Sequence, residues 1–246
     1  LDGTIPPTFS KLQQLTNLDL SINKFSGSIP SQLPISIEYL NLQDNQLEGM
    51  IPTSLSMLKL VKSLWLNRNK IRGSLPLEIS EMNHLENLEL QENQLSGTIP
   101  SSLSKLPVLK KLLLQWNQLS GSIPSQFSEL SKLNILDLSN NNLNGSLEFL
   151  QPSLVELTQV NVENNSISGD FPSVEVQSIP NLVSLKANDN KISGPSKLTL
   201  NLPKLAFLNL TANAFANVHI DEWKLKDSGL LVIKMNDFRC ALPPLV

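Results

Sequence analysis

Cysteine, histidine and tyrosine are almost missing from this sequence. Its 246 residues contain one cysteine, Cys240, two histidines, His84 and His219, and a single tyrosine. One cysteine cannot form a disulfide within the chain, and two histidines 135 positions apart do not have the spacing of a metal site. We therefore expect neither a disulfide-stapled fold nor a bound metal, and no cofactor.

Aromatic residues and excess positive charge are also scarce. Aromatics form 5% of the chain and hydrophobic residues 40%, so the core must be built mainly from Leu and Ile. The net charge of −3 gives no basic surface of the kind that binds nucleic acid. No apolar run approaches the roughly 18 residues that a membrane helix needs. We expect no nucleic-acid partner, and no membrane segment within these residues.

Motifs of the common enzyme classes are absent as well. The sequence has no Gly-x-Ser-x-Gly, no Gly-x-Gly-x-x-Gly, no phosphate loop and no His-Glu-x-x-His. Ser and Asp are abundant, but they recur at fixed repeat positions, where turns explain them. His84 precedes the first Leu of a repeat and is expected on a surface turn. The sequence therefore predicts a protein that is not an enzyme and has no catalytic residues.

A repeat of about 24 residues dominates the sequence. Asparagines recur at successive separations of 22, 24, 24, 24, 24, 24, 25 and 23 residues, each preceded by apolar residues three, five and eight positions back. Most are followed by an apolar residue at +2 and Gly at +4. Such periodicity indicates a solenoid, in which each repeat packs only on its neighbours. The asparagines are Asn23, Asn45, Asn69, Asn93, Asn117, Asn141, Asn165, Asn190 and Asn213.

The positions within a repeat have structural interpretations. Leu88 and Leu90 flank Glu89, and this period of two predicts a short strand with one buried face. Asn93 can turn its amide inward and satisfy backbone groups where the chain bends away from the strand. Stacked asparagines would then form a ladder along the solenoid. The Ser-rich segment after each Ile-Pro or Leu-Pro pair predicts a short helical or 3₁₀ turn on the outer side.

The complete motif, Leu-x-x-Leu-x-Leu-x-x-Asn-x-Leu-x-Gly-x-Ile-Pro, resembles the plant-type class of leucine-rich repeats. That class includes the extracellular regions of plant receptor-like kinases and receptor-like proteins, and secreted polygalacturonase inhibitors. The resemblance implies an α/β, mainly β, solenoid, a right-handed superhelix with one long parallel concave sheet. It also implies ligand recognition on the concave or lateral surface. One copy consists of Leu109, Leu112, Leu114, Asn117, Leu119, Gly121, Ile123 and Pro124.

The repeat array is expected to cover residues 1–238, with about ten repeats of which the first and last are incomplete. The pattern is regular to about residue 140, after which the Ile-Pro pair is replaced by Leu147-Glu148 and later positions loosen. Residues 239–246 are expected to begin a C-terminal cap or tail. Because such families usually close the array with a cysteine-containing cap, the resemblance implies that Cys240 pairs with a cysteine outside these residues.

Outward positions on three consecutive strands predict a binding surface. Residues between the buried leucines point onto the concave face, and the same columns of adjacent strands must be neighbours. Two exposed tryptophans on one sheet face are typical of binding anchors. We call this surface the Trp65–Trp116 patch and define it as Lys62, Trp65, Arg68, Glu89, Glu92, Lys110, Leu113 and Trp116.

The charges of this patch allow a second interpretation. Lys62, Glu86 and Lys110 alternate in sign and could neutralise one another across the strands. Arg68 and Glu92 could do the same. The patch would then be self-satisfied surface and not a ligand site, and both interpretations stay open from the sequence.

Three N-glycosylation sequons begin at Asn144, Asn164 and Asn209. Each is an acceptor only in a secreted protein. Asn164 and Asn209 fall on or near concave positions of the later repeats, so glycans there would screen that part of the face and leave the Trp65–Trp116 patch open. The alternative is that some of the sequons go unused.

These observations favour the ligand-binding region of an extracellular receptor-like protein or kinase. A secreted inhibitor of a cell-wall enzyme and a structural component of an extracellular assembly are the alternatives. The expected partner is a protein or peptide, with a cell-wall polysaccharide or another extracellular subunit as alternatives. The protein is expected outside the cell, as a secreted glycoprotein or as the ectodomain of a membrane protein.

Overall fold

The computed structural model describes residues 1–172, 176, 178–194 and 204–215 in full, and the backbone alone of 197–202, 219–225 and 230–232. The predictions for Cys240 and for residues 239–246 lie outside the described residues, as does any prediction for the side chain of His219.

The inner face of the solenoid is a parallel sheet that has ten strands in the described part of the chain. Its strands are three residues long, and in most of them the central residue is buried between two outward neighbours. This is the predicted concave sheet. Its strands are β2 (Asn17–Asp19), β4 (Tyr39–Asn41), β6 (Ser63–Trp65), β8 (Asn87–Glu89), β10 (Lys111–Leu113), β12 (Ile135–Asp137), β14 (Gln159–Asn161), β16 (Ser184–Lys186), β19 (Phe207–Asn209) and β21 (Leu230–Val232).

A second parallel sheet, which the sequence did not predict, forms where each repeat passes through its glycine. Two further strand pairs, β15 (Ser168–Asp170) with β17 (Lys191–Ser193) and β18 (Lys197–Leu202) with β20 (His219–Leu225), follow it along the chain. The strands of the second sheet are β1 (Asp2–Thr4), β3 (Lys24–Gly27), β5 (Gln46–Gly49), β7 (Lys70–Gly73), β9 (Gln94–Thr98), β11 (Gln118–Ser122) and β13 (Asn142–Asn144).

The outer side consists of 3₁₀ turns that begin directly after a proline. Proline fixes φ near −65° and has no N–H, so it suits the residue that precedes the first turn. Where Leu147-Glu148 replaces the Ile-Pro pair, the described chain forms bends and turns instead, although Phe149 and Leu150 remain buried. The 3₁₀ turns are η1 (Pro7–Lys11), η2 (Thr53–Met57), η3 (Leu77–Glu81), η4 (Ser101–Lys105) and η5 (Ser125–Glu129).

Each coil of the solenoid is named here after its repeated asparagine. The Asn93 coil buries aliphatic side chains from both sheets and from the outer turn, and all of them are at most 3% exposed. Since one coil covers the edge of the next, the coils share a single continuous core. The buried residues of this coil are Met82, Leu85, Leu88, Leu90, Leu95, Ile99, Leu103 and Leu106.

The repeated asparagines lie in one row at the inner edge of this core. Asn93 Nδ2 donates to the carbonyl oxygens of Leu66 at 3.0 Å and Leu90 at 3.1 Å, and its Oδ1 accepts from the N–H of Ile71 at 3.0 Å. The same pattern of contacts recurs from Asn45 to Asn213. Each amide therefore joins its own coil to the preceding one, which fixes the stacking of the two strands.

Candidate functional site

The Trp65–Trp116 patch is assembled by the register of three concave strands. Trp65 pairs with Glu89 across β6 and β8, and Glu89 pairs with Leu113 across β8 and β10. The backbone N–H of Lys110 donates to the carbonyl of Glu86 in the neighbouring coil at 2.8 Å. Adjacent strands lie about 4.8 Å apart, so the members of each column are neighbours. The structure thus brings the eight residues of the patch onto one face.

The two tryptophans differ in exposure. Trp116 is 60% exposed, whereas Trp65 and Leu113 are half-buried among the outward side chains of the sheet. Neither indole belongs to the buried core. Trp116 also has a left-handed backbone, with φ of 57°, which is uncommon for an aromatic residue. An indole displayed on a constrained turn is a suitable anchor for a partner.

The cations of the patch are paired with carboxylates. Arg68 Nε lies 3.0 Å from Glu92 Oε1, and a hydrogen bond from Arg68 to Glu92 raises the pKa of the guanidinium. Lys110 Nζ lies 2.8 Å from Glu86, as the alternating charges suggested. Exposed pairs of this kind stabilise a fold by about 0–1 kcal/mol each. The alternative interpretation therefore accounts for these charges, but it does not account for the tryptophans.

Lys62 departs from the expected alternation. It pairs with Glu38 of the preceding coil, at 2.7 Å, and not with Glu86. The hydrogen bond to Glu38 raises the pKa of the Lys62 ammonium group, and the same ammonium lies 5.9 Å from the ring centre of Tyr39. Glu89 pairs with Lys111, at 3.3 Å.

The column of outward positions aligned with Trp65 on the other concave strands contains a hydrogen-bond motif. Its three patch residues, Trp65, Glu89 and Leu113, lack this motif. In the Asn141 coil, Asp137 Oδ1 accepts from the backbone N–H of Ser139 at 3.0 Å. Burial raises the pKa of Asp137, whereas hydrogen bonds from Ser139 and Asn161 lower it. We call this local bond the Asx cap. It recurs, at 2.9–3.2 Å, for Asp19, Asn41, Asn161 and Asn209.

Trp65, Glu89 and Leu113 replace the capping residue in three consecutive coils. A typical hydrogen bond contributes about 1 kcal/mol, so each of these coils lacks a small stabilising term that its neighbours have. The sequence shows the change from Asp or Asn in this column, where Asp19, Asn41 and Asp137 are typical of solvated turns, but the capping hydrogen bonds are seen only in the structure. Residues that depart from a locally stabilising choice in one cluster are typical of a functional surface.

A row of amide side chains lies between the two columns of the patch. Each of these amides follows Trp65, Glu89 or Leu113 by two positions. We call them the amide row, which consists of Asn67, Gln91 and Gln115. Their side-chain oxygens are buried and have no hydrogen-bond partner among the described residues. Asn188, which follows the uncapped Lys186, is the fourth such case. No pattern in the sequence indicates these unpaired acceptors.

The remaining sequence candidates lie apart from the patch. His84 is exposed, and its Nδ1 lies 2.9 Å from the carbonyl of Lys59, which fits a surface turn. Among the described residues, no cluster of His, Cys, Asp and Glu is arranged to hold a metal ion. The described part of the chain also has no helix whose length and hydropathy suit a membrane span.

The three sequon asparagines have different environments. Asn144 is exposed on β13 in the second sheet. Asn164 is exposed on the concave side, where its Nδ2 donates to Asn140 Oδ1 at 2.8 Å. Asn209 is half-buried, and its Oδ1 accepts from the backbone N–H of Thr211. Glycosylation at these positions stays a prediction.

The family model described as Leucine Rich Repeat matches residues 14–34, 36–58, 84–106, 108–130 and 132–153. These segments coincide with the coils of the solenoid. The parallel inner sheet, the row of asparagines and the matched repeats together show the fold of a leucine-rich-repeat solenoid.

Solved structures of plant proteins are similar to this chain. The Arabidopsis receptor kinase HAESA, in complex with the peptide hormone IDA and the co-receptor SERK1, is 29% identical with a TM-score of 0.81, over 88% of this chain and 37% of that one. A TDR receptor is 28% identical with a TM-score of 0.80, over 87% of this chain and 38% of that one. This chain therefore spans about two fifths of the receptor chains that it matches.

A plant ice-binding protein is also similar in structure. It is 28% identical, with a TM-score of 0.77, and the match covers 93% of this chain and 72% of that one. The repeat architecture of this chain is thus found in plant receptor ectodomains and in a binding protein of another kind.

Proposed function

We propose that this chain is the recognition region of an extracellular receptor-like protein and that it binds a protein or peptide at the Trp65–Trp116 patch. The observation that carries the proposal is the exposed Trp116 on the same face as Trp65, two coils away, with Glu89 between Trp65 and Leu113 and with the Asx cap missing from all three coils. Tryptophan is among the residues that most often dominate the energetics of an interface.

The similarity to receptor ectodomains supports a macromolecular partner. HAESA is described in complex with a peptide hormone and a co-receptor, and we extend that class of partner to this chain. A binding role requires no chemistry at the patch, so we propose a non-enzymatic protein that acts outside the cell. Glycans at Asn144, Asn164 or Asn209 would accompany that location.

A displayed peptide library tests this proposal even though the natural partner is unidentified. Random 12-residue peptides on phage are selected on the immobilised protein, after depletion on the Trp65→Ala, Trp116→Ala double variant. We expect peptides whose affinity falls about 30-fold or more in the double variant, since loss of a buried aromatic anchor costs about 2 kcal/mol. Selection that yields only peptides indifferent to both tryptophans would contradict the proposal.

Ice binding is a second candidate function, favoured by the second sheet. Strands β9 and β11 carry Ser96, Thr98, Ser120 and Ser122 on adjacent coils, and Thr98 and Ser122 are exposed. Hydroxyls repeated about every 4.8 Å can hydrogen-bond an ordered layer of water. In the earlier coils, charged or bulky residues interrupt these two columns of hydroxyls. They are Glu48, Met50 and Arg72.

An ice recrystallisation assay separates the two candidates. Ice binding predicts that the protein slows crystal growth and that Thr98→Lys with Ser122→Lys removes this activity, while Trp116→Ala leaves it intact. A wild-type protein without effect on ice growth removes the second candidate and leaves the first unchanged.

A further inference from the structure

The chemistry of the Trp65–Trp116 patch indicates the kind of side chain that its ligand presents. The patch and its charged neighbours contain four cations and five carboxylates, joined by five ion pairs. Arg68 is shared between Glu92 at 3.0 Å and Asp44 at 3.7 Å. Every cation and every carboxylate of this set already lies in an ion pair, and the set carries a net charge of −1, which favours a cationic ligand over an anionic one.

The amide row adds unpaired acceptors to this surface. The backbones of Asn67, Gln91 and Gln115 lie on consecutive coils, and Asn67 is only 5% exposed. Their buried oxygens have no donor among the described residues. A buried acceptor without a donor costs stability, so the row favours a ligand that brings hydrogen-bond donors.

The amide of Gln91 is held beside a carboxylate. Gln91 Nε2 lies 3.5 Å from Glu89 Oε2, while its oxygen is the unpaired atom. The terminal torsion of a glutamine is broad, so the oxygens of the half-buried Gln91 and Gln115 can rotate toward an incoming donor. Asn188, two positions after the uncapped Lys186, also has an unpaired oxygen, although its Nδ2 donates to Asp189 Oδ2 at 2.7 Å, and it lies outside the three coils of the patch.

Trp116 supplies the third feature of the site. Tryptophan is the best aromatic partner for a cation, and Trp116 is 60% exposed in the coil adjacent to that of Glu92. An arginine guanidinium is planar, carries five N–H donors and no acceptor, and stacks on aromatic faces. It therefore matches an exposed indole, excess carboxylate and a row of acceptors at the same time.

We propose that the Trp65–Trp116 patch recognises an arginine side chain of its peptide or protein ligand, which stacks on Trp116 and donates to the oxygens of Gln91 and Gln115. This inference rests on the proposed function, because it names the group that the proposed ligand inserts. It commits to arginine in preference to lysine, whose ammonium lacks the planar fork of donors.

Peptides from the phage selection, resynthesised as free 12-residue peptides, test this inference. We expect those that depend on Trp65 and Trp116 to contain arginine. Replacement of that arginine by citrulline, which has the same shape without the charge, is expected to weaken binding at least tenfold. Replacement by lysine is expected to weaken it at least threefold.

Leucine substitutions in the amide row separate recognition from stability. The Gln91→Leu, Gln115→Leu double variant removes two unpaired oxygens, so its melting temperature is expected to stay equal or rise, while affinity for the arginine peptide falls at least fivefold. Gln43→Leu is the matched control, because Gln43 holds the same column position in a coil that Asn41 caps at 3.2 Å. It is expected to leave affinity unchanged.

The outcomes distinguish failure of this inference from failure of the proposed function. Selected peptides that need both tryptophans but contain no arginine, or that bind equally well with citrulline, overturn the inference and leave the proposed function standing. Unchanged affinity in the double leucine variant overturns the assignment as well. A selection without any tryptophan-dependent peptide removes the proposed function, and the inference with it.

Discussion

At the scale of single residues, the repeated asparagine is the side chain that joins each coil to the preceding one. Asn93 joins two coils through donors to Leu66 and Leu90 and through an acceptor for Ile71. Among side chains of this size, only Asn combines a carbonyl acceptor with an NH₂ group that can donate twice. Every coil from Asn45 to Asn213 repeats these contacts, so the residue is set by the stacking and not by a ligand.

Replacement of Asn93 by Ala is expected to destabilise the protein by about 1–3 kcal/mol, because buried backbone groups lose their partners. Chemical denaturation measures the change. Asn83→Ala is the control, since Asn83 is exposed in the outer turn, and its effect is expected to stay within about 0.5 kcal/mol. Equal effects of the two substitutions would show that the asparagine row does not hold the coils together.

A second feature at this scale is the backbone conformation of the residue before each repeated asparagine. In the described coils it has a φ between 51° and 57°, whatever its side chain. Ile22 is the least suited of these residues, because it is β-branched and a positive φ costs such residues about 1–2 kcal/mol. Asn140 and Asn164 hold the same position with a residue type that tolerates this conformation.

Ile22→Asn is therefore expected to stabilise the protein by about 1 kcal/mol, which a thermal melt detects. Ile35→Asn serves as the control, since Ile35 is also a well-exposed isoleucine but has no positive φ. If Ile22→Asn lowers the melting temperature, or if both substitutions raise it alike, strain at Ile22 is not the cause.

At the scale of elements, the second sheet depends on its glycines for two reasons. Gly121 has a φ of 75°, and a Cβ at this position would lie 2.9 Å from Thr98 Cγ2 of the preceding coil. Gly97 has nearly the same φ of 76°, but its Cβ would meet the nearest atom, Ser74 Cβ, at 3.5 Å. Both glycines thus have a positive φ, but only Gly121 also lies so close to the preceding coil that an added Cβ would clash.

Gly97→Ala is expected to cost about 1–2 kcal/mol from the positive φ alone. Gly121→Ala is expected to cost about 1 kcal/mol more, because Thr98 must shift. Denaturation midpoints of the two variants test the difference. Thr98→Ala combined with Gly121→Ala should bring the cost back to that of Gly97→Ala, and a persistent difference would mean that crowding by Thr98 is not responsible.

The elements also show how far the sequence could be interpreted. The concave strands, the outer 3₁₀ turns and the asparagine row follow from periodic Leu, Pro and Asn, since each is specified within one repeat. The second sheet could not be predicted, because its strands are held by backbone bonds between coils around a glycine. A strand such as β5 has a single buried residue, Leu47, and one buried position is too short an alternation to indicate a strand.

The candidate site could likewise be predicted only in part from the sequence. Trp65, Glu89 and Leu113 could be placed together because strand register follows from repeat length. The partner of Lys62 could not, since it depends on whether a flexible side chain reaches Glu38 or Glu86. The unpaired oxygens of the amide row also depend on packing between coils, which the sequence does not specify.

At the scale of the whole molecule, the coils share one core while the outward side chains vary from coil to coil. Stability therefore resides in the positions that repeat, and we propose that recognition resides in positions that do not. The Trp65–Trp116 patch occupies the middle of the regular part of the array, between the Asn69 and Asn117 coils. A rigid stack of this kind holds the anchors of a binding surface in fixed relation.

The most direct measurement is the dissociation constant of a selected arginine-containing peptide for Trp116→Ala, determined by titration calorimetry beside the melting temperature. We predict about a 30-fold loss of affinity with an almost unchanged melting temperature, because we propose that Trp116 is an anchor and it lies outside the buried core. Met50→Ala, a change at a similarly exposed residue directly after β5 of the second sheet, should leave affinity unchanged. Unchanged binding in Trp116→Ala with loss in Met50→Ala would contradict the account and move the site to the lateral face.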